Sequence, residues 1–152
     1  MMGKTRTLSF SLVEVLIFVS ILSVFFVIAA SMTITSIRNN EVNQHKILGT
    51  RYAEELIEWL KSEKEVDWKT FYSRAPFEPD IASYCFNSQL SDWTSVPAND
   101  CGASYTLDDV FRRWAILQQY GDDQIKISVT VQWREYGNTY SIPINTVFSV
   151  HE

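Results

Sequence analysis

From Phe10 to Ala30 the chain runs for 21 residues with a single charge, Glu14, and without Gly or Pro. As a helix this run is about 31 Å long, which matches the hydrocarbon core of a bilayer. In lipid a backbone must satisfy its own hydrogen bonds, so a lone segment has to be helical to enter. A carboxylate near its start then costs about 3 kcal/mol on insertion scales. Ahead of the run, "MMGKTRTLS" carries Lys4 and Arg6 and no acid, a flank that favours retention in the cytoplasm. The expected topology is a single pass, with the N-terminus cytoplasmic and the bulk of the chain on the other side.

A cleaved secretory signal peptide competes with this reading, because "VIAAS" offers small residues for a peptidase. The length of the run and Glu14 weigh against it, and so does the helical character of the chain beyond Ala30. Between Ser36 and Glu65 there is no Pro and one Gly, and apolar residues recur at Leu48, Tyr52, Leu56, Trp59 and Leu60. Steps of three and four make one helix face. Arg51, Glu54, Glu55, Glu58 and Lys61 fall on the other side, at spacings that allow i,i+3 and i,i+4 ion pairs. One continuous helix from about Ser11 to Lys64 is expected, apolar all round in its first half and amphipathic in its second.

Beyond Lys64, Asp67 is placed to cap a short helix through Tyr72, and Pro76 and Pro79 end regular structure. A polar, irregular stretch is expected up to Thr106. It contains both cysteines, Cys85 and Cys101. In an oxidising compartment a bridge between them would contribute about 3 kcal/mol; two buried free thiols are the alternative. The end of the chain is more regular. In "DQIKISVTVQWR", Ile125, Ile127, Val129, Val131 and Trp133 alternate with polar residues, the period of a half-buried strand. "FRRWAILQQY", with Trp114 and Ile116 on one face, precedes it, and "TYSIPINTVFSV" comes after it, with a Gly in each connection. These read as an antiparallel meander, Pro143 placing the last strand at an edge or bulge. An apolar sheet face and an amphipathic helix face each need cover, and packing them together makes an α+β core.

The net charge of −5 and the lack of a long basic run make nucleic acid an unexpected partner. His45 and His151 stand at no metal-ligand spacing from the cysteines, so no metal site and no cofactor is expected. The pairs Asp108–Asp109 and Asp122–Asp123 read as solvated turn residues rather than catalytic carboxylates. Arg112, Arg113, Lys126 and Arg134 read as a solvated strand face. No catalytic residue is assigned.

In "LSFSLVEVLIF" and its position the chain resembles the processing site of type IV pilins and of the pseudopilins of type II secretion. In that family a short basic leader is cut just before a Phe, and a Glu stands four residues after it; here these are Phe10 and Glu14. The resemblance implies cleavage between Ser9 and Phe10 by a prepilin peptidase and methylation of the new Phe10 amine by the same enzyme. It also implies that the Glu14 carboxylate of one subunit pairs with the Phe10 amine of a neighbour in a filament. The family usually has Gly before the cut, and Ser9 departs from it; a small residue remains, so the site reads as usable but slow. Losing Lys4 and Arg6 with the leader changes the net charge from −5 to −7.

The organisation implied is a leader (1–9), a transmembrane and filament-core helix half (10–31), an amphipathic half (32–66), an irregular connection (67–106) and an antiparallel sheet (107–152). That is a pilin-like α+β fold, a long helix on a three- to four-stranded sheet. "YAEELIEWLKSEKEVDWKTF", the two cysteines and "VTVQW" look most like PilV-type or GspI-type minor subunits. The implied partners are other pilin or pseudopilin subunits, the prepilin peptidase and an inner-membrane assembly platform. The implied location is the bacterial inner membrane and then a pilus or pseudopilus. A signal-anchored protein that keeps its leader and displays the sheet as a binding domain is the alternative.

Overall fold

The structure is a computed structural model that describes residues 11–87, 90, 91, 93, 101, 107–121 and 123–150. Its elements are α1 (Leu12–Val66), α2 (Trp68–Ser73), β1 (Ala82–Cys85), β2 (Phe111–Gln119), β3 (Gln124–Glu135) and β4 (Asn138–Ser149). They form an α+β chain with a long apolar N-terminal helix and a four-stranded antiparallel sheet in the order β1-β2-β3-β4. Contacts divide it into two units, Met1–Glu41 and Val42–Glu152.

The described part of the first unit is helix. None of its residues is buried, and large apolar side chains such as Phe18 (64% exposed), Phe25 (64%) and Phe26 (62%) face outward. α1 is long and apolar enough to cross a membrane.

In the second unit the Val42–Val66 part of α1 covers one face of the sheet. Leu56 and Leu60 are fully buried as the periodicity requires, but Leu48, Tyr52 and Trp59 only flank the seam. Its middle is made by Gly49 and Ala53, both buried. A Cβ on Gly49 would lie 3.2 Å from both Ile142 Cδ1 and Trp133 Cζ3, so the helix backbone approaches the sheet where Trp133 fills the space. Small residues at a close approach carry no hydrophobic signal, which is why periodicity of large side chains misses them.

The sheet confirms the alternation in β3, where Ile125, Ile127, Val129, Val131 and Trp133 are all buried. β4 is an edge strand, which accommodates Pro143 opposite Thr130. Tyr136 and Gly137, with φ of 49° and 80°, make the two-residue β3–β4 turn, and Gly121 takes φ of 68° between β2 and β3. Asp67 caps α2 by accepting from the Thr70 backbone N–H. Two expectations need correction. The stretch 67–106 is not wholly irregular, because β1 lies in it; four residues are too few to show a period, and pairing with β2 makes the strand. In β2 the core face is Phe111, Arg113, Ala115, Leu117 and Gln119, and Trp114 and Ile116 point the other way. Arg113 is therefore buried, at 1% exposure, and does not belong to the solvated strand face.

Candidate functional site

The exposed apolar part of α1 leaves its large side chains uncovered, and its polar groups define what it needs. All five hydroxyls from Ser20 to Thr35 donate to the carbonyl four residues earlier: Ser20 to Leu16, Ser23 to Val19 and Ser31 to Val27 at 2.8 Å, Thr33 to Ala29 and Thr35 to Ser31 at 3.0 Å. A hydroxyl bonded in this way needs no water. The sequence held this signal, since Ser and Thr in an apolar helix have few other partners, but hydropathy and periodicity do not register it.

Glu14 is the exception. It sits in the first turn of α1, exposed, with its backbone N–H donating to the Ser11 carbonyl at 3.0 Å. Its carboxylate has no hydrogen-bond or ion-pair partner among the described residues. The free N–H groups at the helix start favour a negative charge there, by a fraction of what desolvation costs. Ser9 and Phe10, the expected cleavage and methylation positions, lie outside the described residues, as do His151 and Asp122.

The other expected site residues are in the second unit. Cys85 and Cys101 form a disulfide with Cα atoms 5.1 Å apart. The same connection is also held by Trp93, which nothing in its sequence neighbourhood sets apart. Its ring lies 5.1 Å from Tyr84, 5.3 Å from Trp59 and 5.7 Å from Phe86, its Nε1 donates to Glu63 at 2.6 Å, and Arg74 stacks on it at 4.3 Å. The aromatic content thus goes largely into the core.

Arg113 ties three elements together. Its Nη1 donates to the Tyr52 carbonyl and to Glu55, both at 2.8 Å, and its Nε donates to the Phe86 carbonyl at 3.1 Å. Burial pushes its pKa down and the Glu55 carboxylate pulls it back up. Its parity with Phe111, Ala115 and Leu117 was the available signal. Asp108 and Asp109 do occupy a turn, in left-handed conformations, and Asp108 accepts from the Tyr52 hydroxyl, which raises the tyrosine pKa together with burial. His45 pairs with Glu135 at 3.0 Å, stitching α1 to the end of β3. Among the described residues no three His, Cys, Asp or Glu side chains gather as metal ligands.

No family model, curated protein or solved structure matches this chain.

Proposed function

We propose that the chain is a structural subunit, minor rather than major, of a type IV pilus or secretion pseudopilus, processed before Phe10 and assembled through its apolar helix. The carrying observation is Glu14. Every hydroxyl from Ser20 to Thr35 is satisfied within the helix, whereas the Glu14 carboxylate, four residues after Phe10, has no partner among the described residues. A carboxylate without a partner in an apolar environment is very costly, and an ammonium beside it offsets much of that cost. Cleavage creates such an ammonium at Phe10 of each subunit. The α+β arrangement of the sheet unit, with its core against the amphipathic half of α1, supports this reading. Its work is assembly and not catalysis.

Mass spectrometry of the native N-terminus tests this. Methylated Phe10 is the expected result, and an N-terminus at Met1 or Met2 would overturn it. Ser9 in place of Gly favours the second reading, a signal-anchored single-pass protein displaying the sheet, and the uncut mass would establish that instead. In cells, Glu14→Ala is expected to leave cleavage intact and to reduce filament incorporation; unchanged incorporation removes the pairing role.

A further inference from the structure

β4 is a sheet edge whose outer backbone groups are unused. The Tyr120 N–H donates to the Gln124 carbonyl and the Phe86 N–H to the Arg113 carbonyl, both at 2.8 Å. Bonded and non-bonded pairs alternate along an antiparallel ladder, so even-numbered residues of β3 bond to β2 and odd-numbered ones to β4. On β4 it is then the even-numbered residues that face β3. The N–H and C=O groups of Thr139, Ser141, Asn145, Val147 and Ser149 point away from the sheet, and none has a hydrogen bond among the described residues. Pro143 stands at the same parity, where its missing N–H costs the β3 ladder nothing. It divides the edge and leaves Asn145 to Ser149 as the longer free run.

Natural edges are usually blunted by charged side chains, proline or a covering segment. β4 carries no charge from Asn138 to Ser149, and Val147 is exposed on it. The charges beside it are basic. Lys126 stands opposite Val147, exposed and with no ion pair among the described residues. On α1, Tyr52 and Glu55 turn toward Asp108 and Arg113 and Trp59 toward Phe86, so the other flank of the helix runs along β4. That flank holds Lys46, Thr50, Ile57, Lys61 and Lys64 and no acid, with Lys64 over the Phe148 ring at 5.6 Å.

A second copy fits this edge poorly. α1 runs beside β4 in the same sense, with Gly49 against Ile142 and Lys64 over Phe148. Antiparallel pairing of two β4 strands turns their helices in opposite directions, so the apolar N-terminal parts leave at opposite ends and cannot enter one bilayer from one side. Parallel pairing in register sets Pro143 beside Pro143 and breaks the ladder in its middle.

We propose that the Asn145–Ser149 edge of β4 receives an extended, acidic segment of a different protein as an added strand. Main-chain bonds to Asn145, Val147 and Ser149 supply the ladder, and alternate side chains of the segment lie beside Val147 within reach of Lys126. Pro143 sets where the added strand stops. The choice of occupant rests on the single-pass anchor, which both functional readings share. Binding by the purified chain does not depend on cleavage before Phe10, so failure here leaves the filament reading standing.

The probe is a capped, fluorescently labelled peptide of alternating Glu and Val, with an alternating Lys and Val peptide as its counterpart, added to the full chain in detergent micelles. Fluorescence anisotropy is expected to show the acidic probe binding about tenfold more tightly than the basic one, and more weakly as salt rises from about 50 mM to about 500 mM. Amide exchange followed by NMR is expected to slow about tenfold at Asn145, Val147 and Ser149, and little at Thr146, which already bonds to β3. Val147→Pro repeats at 147 what the chain carries at 143; it is expected to weaken binding about tenfold with the near-ultraviolet circular dichroism unchanged. Lys126→Glu is expected to remove the preference for the acidic probe. The exchange measurement needs no variant, so it decides even if Val147→Pro does not fold. Equal binding of the two probes, binding without slowed exchange at the three amides, or no binding of either probe overturns the proposal. So does a dimer in sedimentation without probe whose outer β4 amides are already protected, since the occupant is then a second copy.

Discussion

Replacing Glu55 by Gln separates the two ends of an unequal ion pair. The Arg113 side chain is 1% exposed and the Glu55 side chain 56%, so the guanidinium has lost nearly all its water and the carboxylate little of it. Gln keeps the shape and an acceptor oxygen for Nη1 but removes the counter-charge. A hydrogen bond to a charged group contributes about 1.5–3 kcal/mol against about 1 for a neutral one, and the buried cation then lacks compensation, so a loss of about 2 kcal/mol is expected. The full chain in detergent, melted by near-ultraviolet circular dichroism, should lose roughly 8–10 °C; Trp59, Trp93 and Trp133 in and around the core supply the signal. Adding Arg113→Met removes the stranded charge. It also leaves the Phe86 carbonyl without that donor, at about 1–2 kcal/mol, so the double variant should be no less stable than Glu55→Gln alone. A loss below about 0.5 kcal/mol for Glu55→Gln, or full additivity of the two changes, would show that the guanidinium is hydrated or held by carbonyls alone. Either result would sink the reasoning.

Two further changes probe how the sheet unit is held. Converting both Cys85 and Cys101 to Ala is expected to cost about 3 kcal/mol, from the loop that the bridge closes in the unfolded chain, and a reductant should lower the melting temperature of wild type to match; a melting temperature indifferent to both would contradict it. Gly49→Val should cost about 1–3 kcal/mol through contacts with Ile142 and Trp133, and a gain in stability would mean that the close approach is not what keeps that position small.

The elements with a long period were legible in the sequence. α1 begins and ends within two residues of expectation, β3 buries the five residues that alternation assigned, and Asp67 caps α2. What escaped was set by neighbours in space. β1 has four residues and exists through its ladder with β2. The seam of α1 centres on Gly49 and Ala53 because Trp133 stands opposite, a fact of the partner and not of the helix. Arg113 looks like a surface residue in "FRRWAILQQ", and only the parity of β2 against β3, together with the Phe86 and Tyr52 carbonyls, makes its burial tolerable. Trp93 is an anchor for the same kind of reason, since the rings that receive it come from α1, α2, β1 and the residue after β1. On the candidate site, the sequence was enough to isolate Glu14 but not to show that the hydroxyls near it are already satisfied.

Those satisfied hydroxyls bear on what drives assembly in the proposed filament. An apolar helix in lipid has no hydrophobic reason to leave it, since lipid tails are as apolar as leucine. Polar glue between helices would normally come from Ser and Thr, yet Ser20, Ser23, Ser31, Thr33 and Thr35 have turned their protons onto their own helix. They gain little by exchanging lipid for a neighbour. Glu14 gains most, because its carboxylate is a charge whose desolvation is uncompensated within the described chain, and a cation from elsewhere changes that. In the proposed filament the preference for the assembled state is therefore concentrated at one end of the helix, beside the amine that the proposed processing would create. Removing that end's charge should weaken assembly more than trimming any hydroxyl along the rest of the segment.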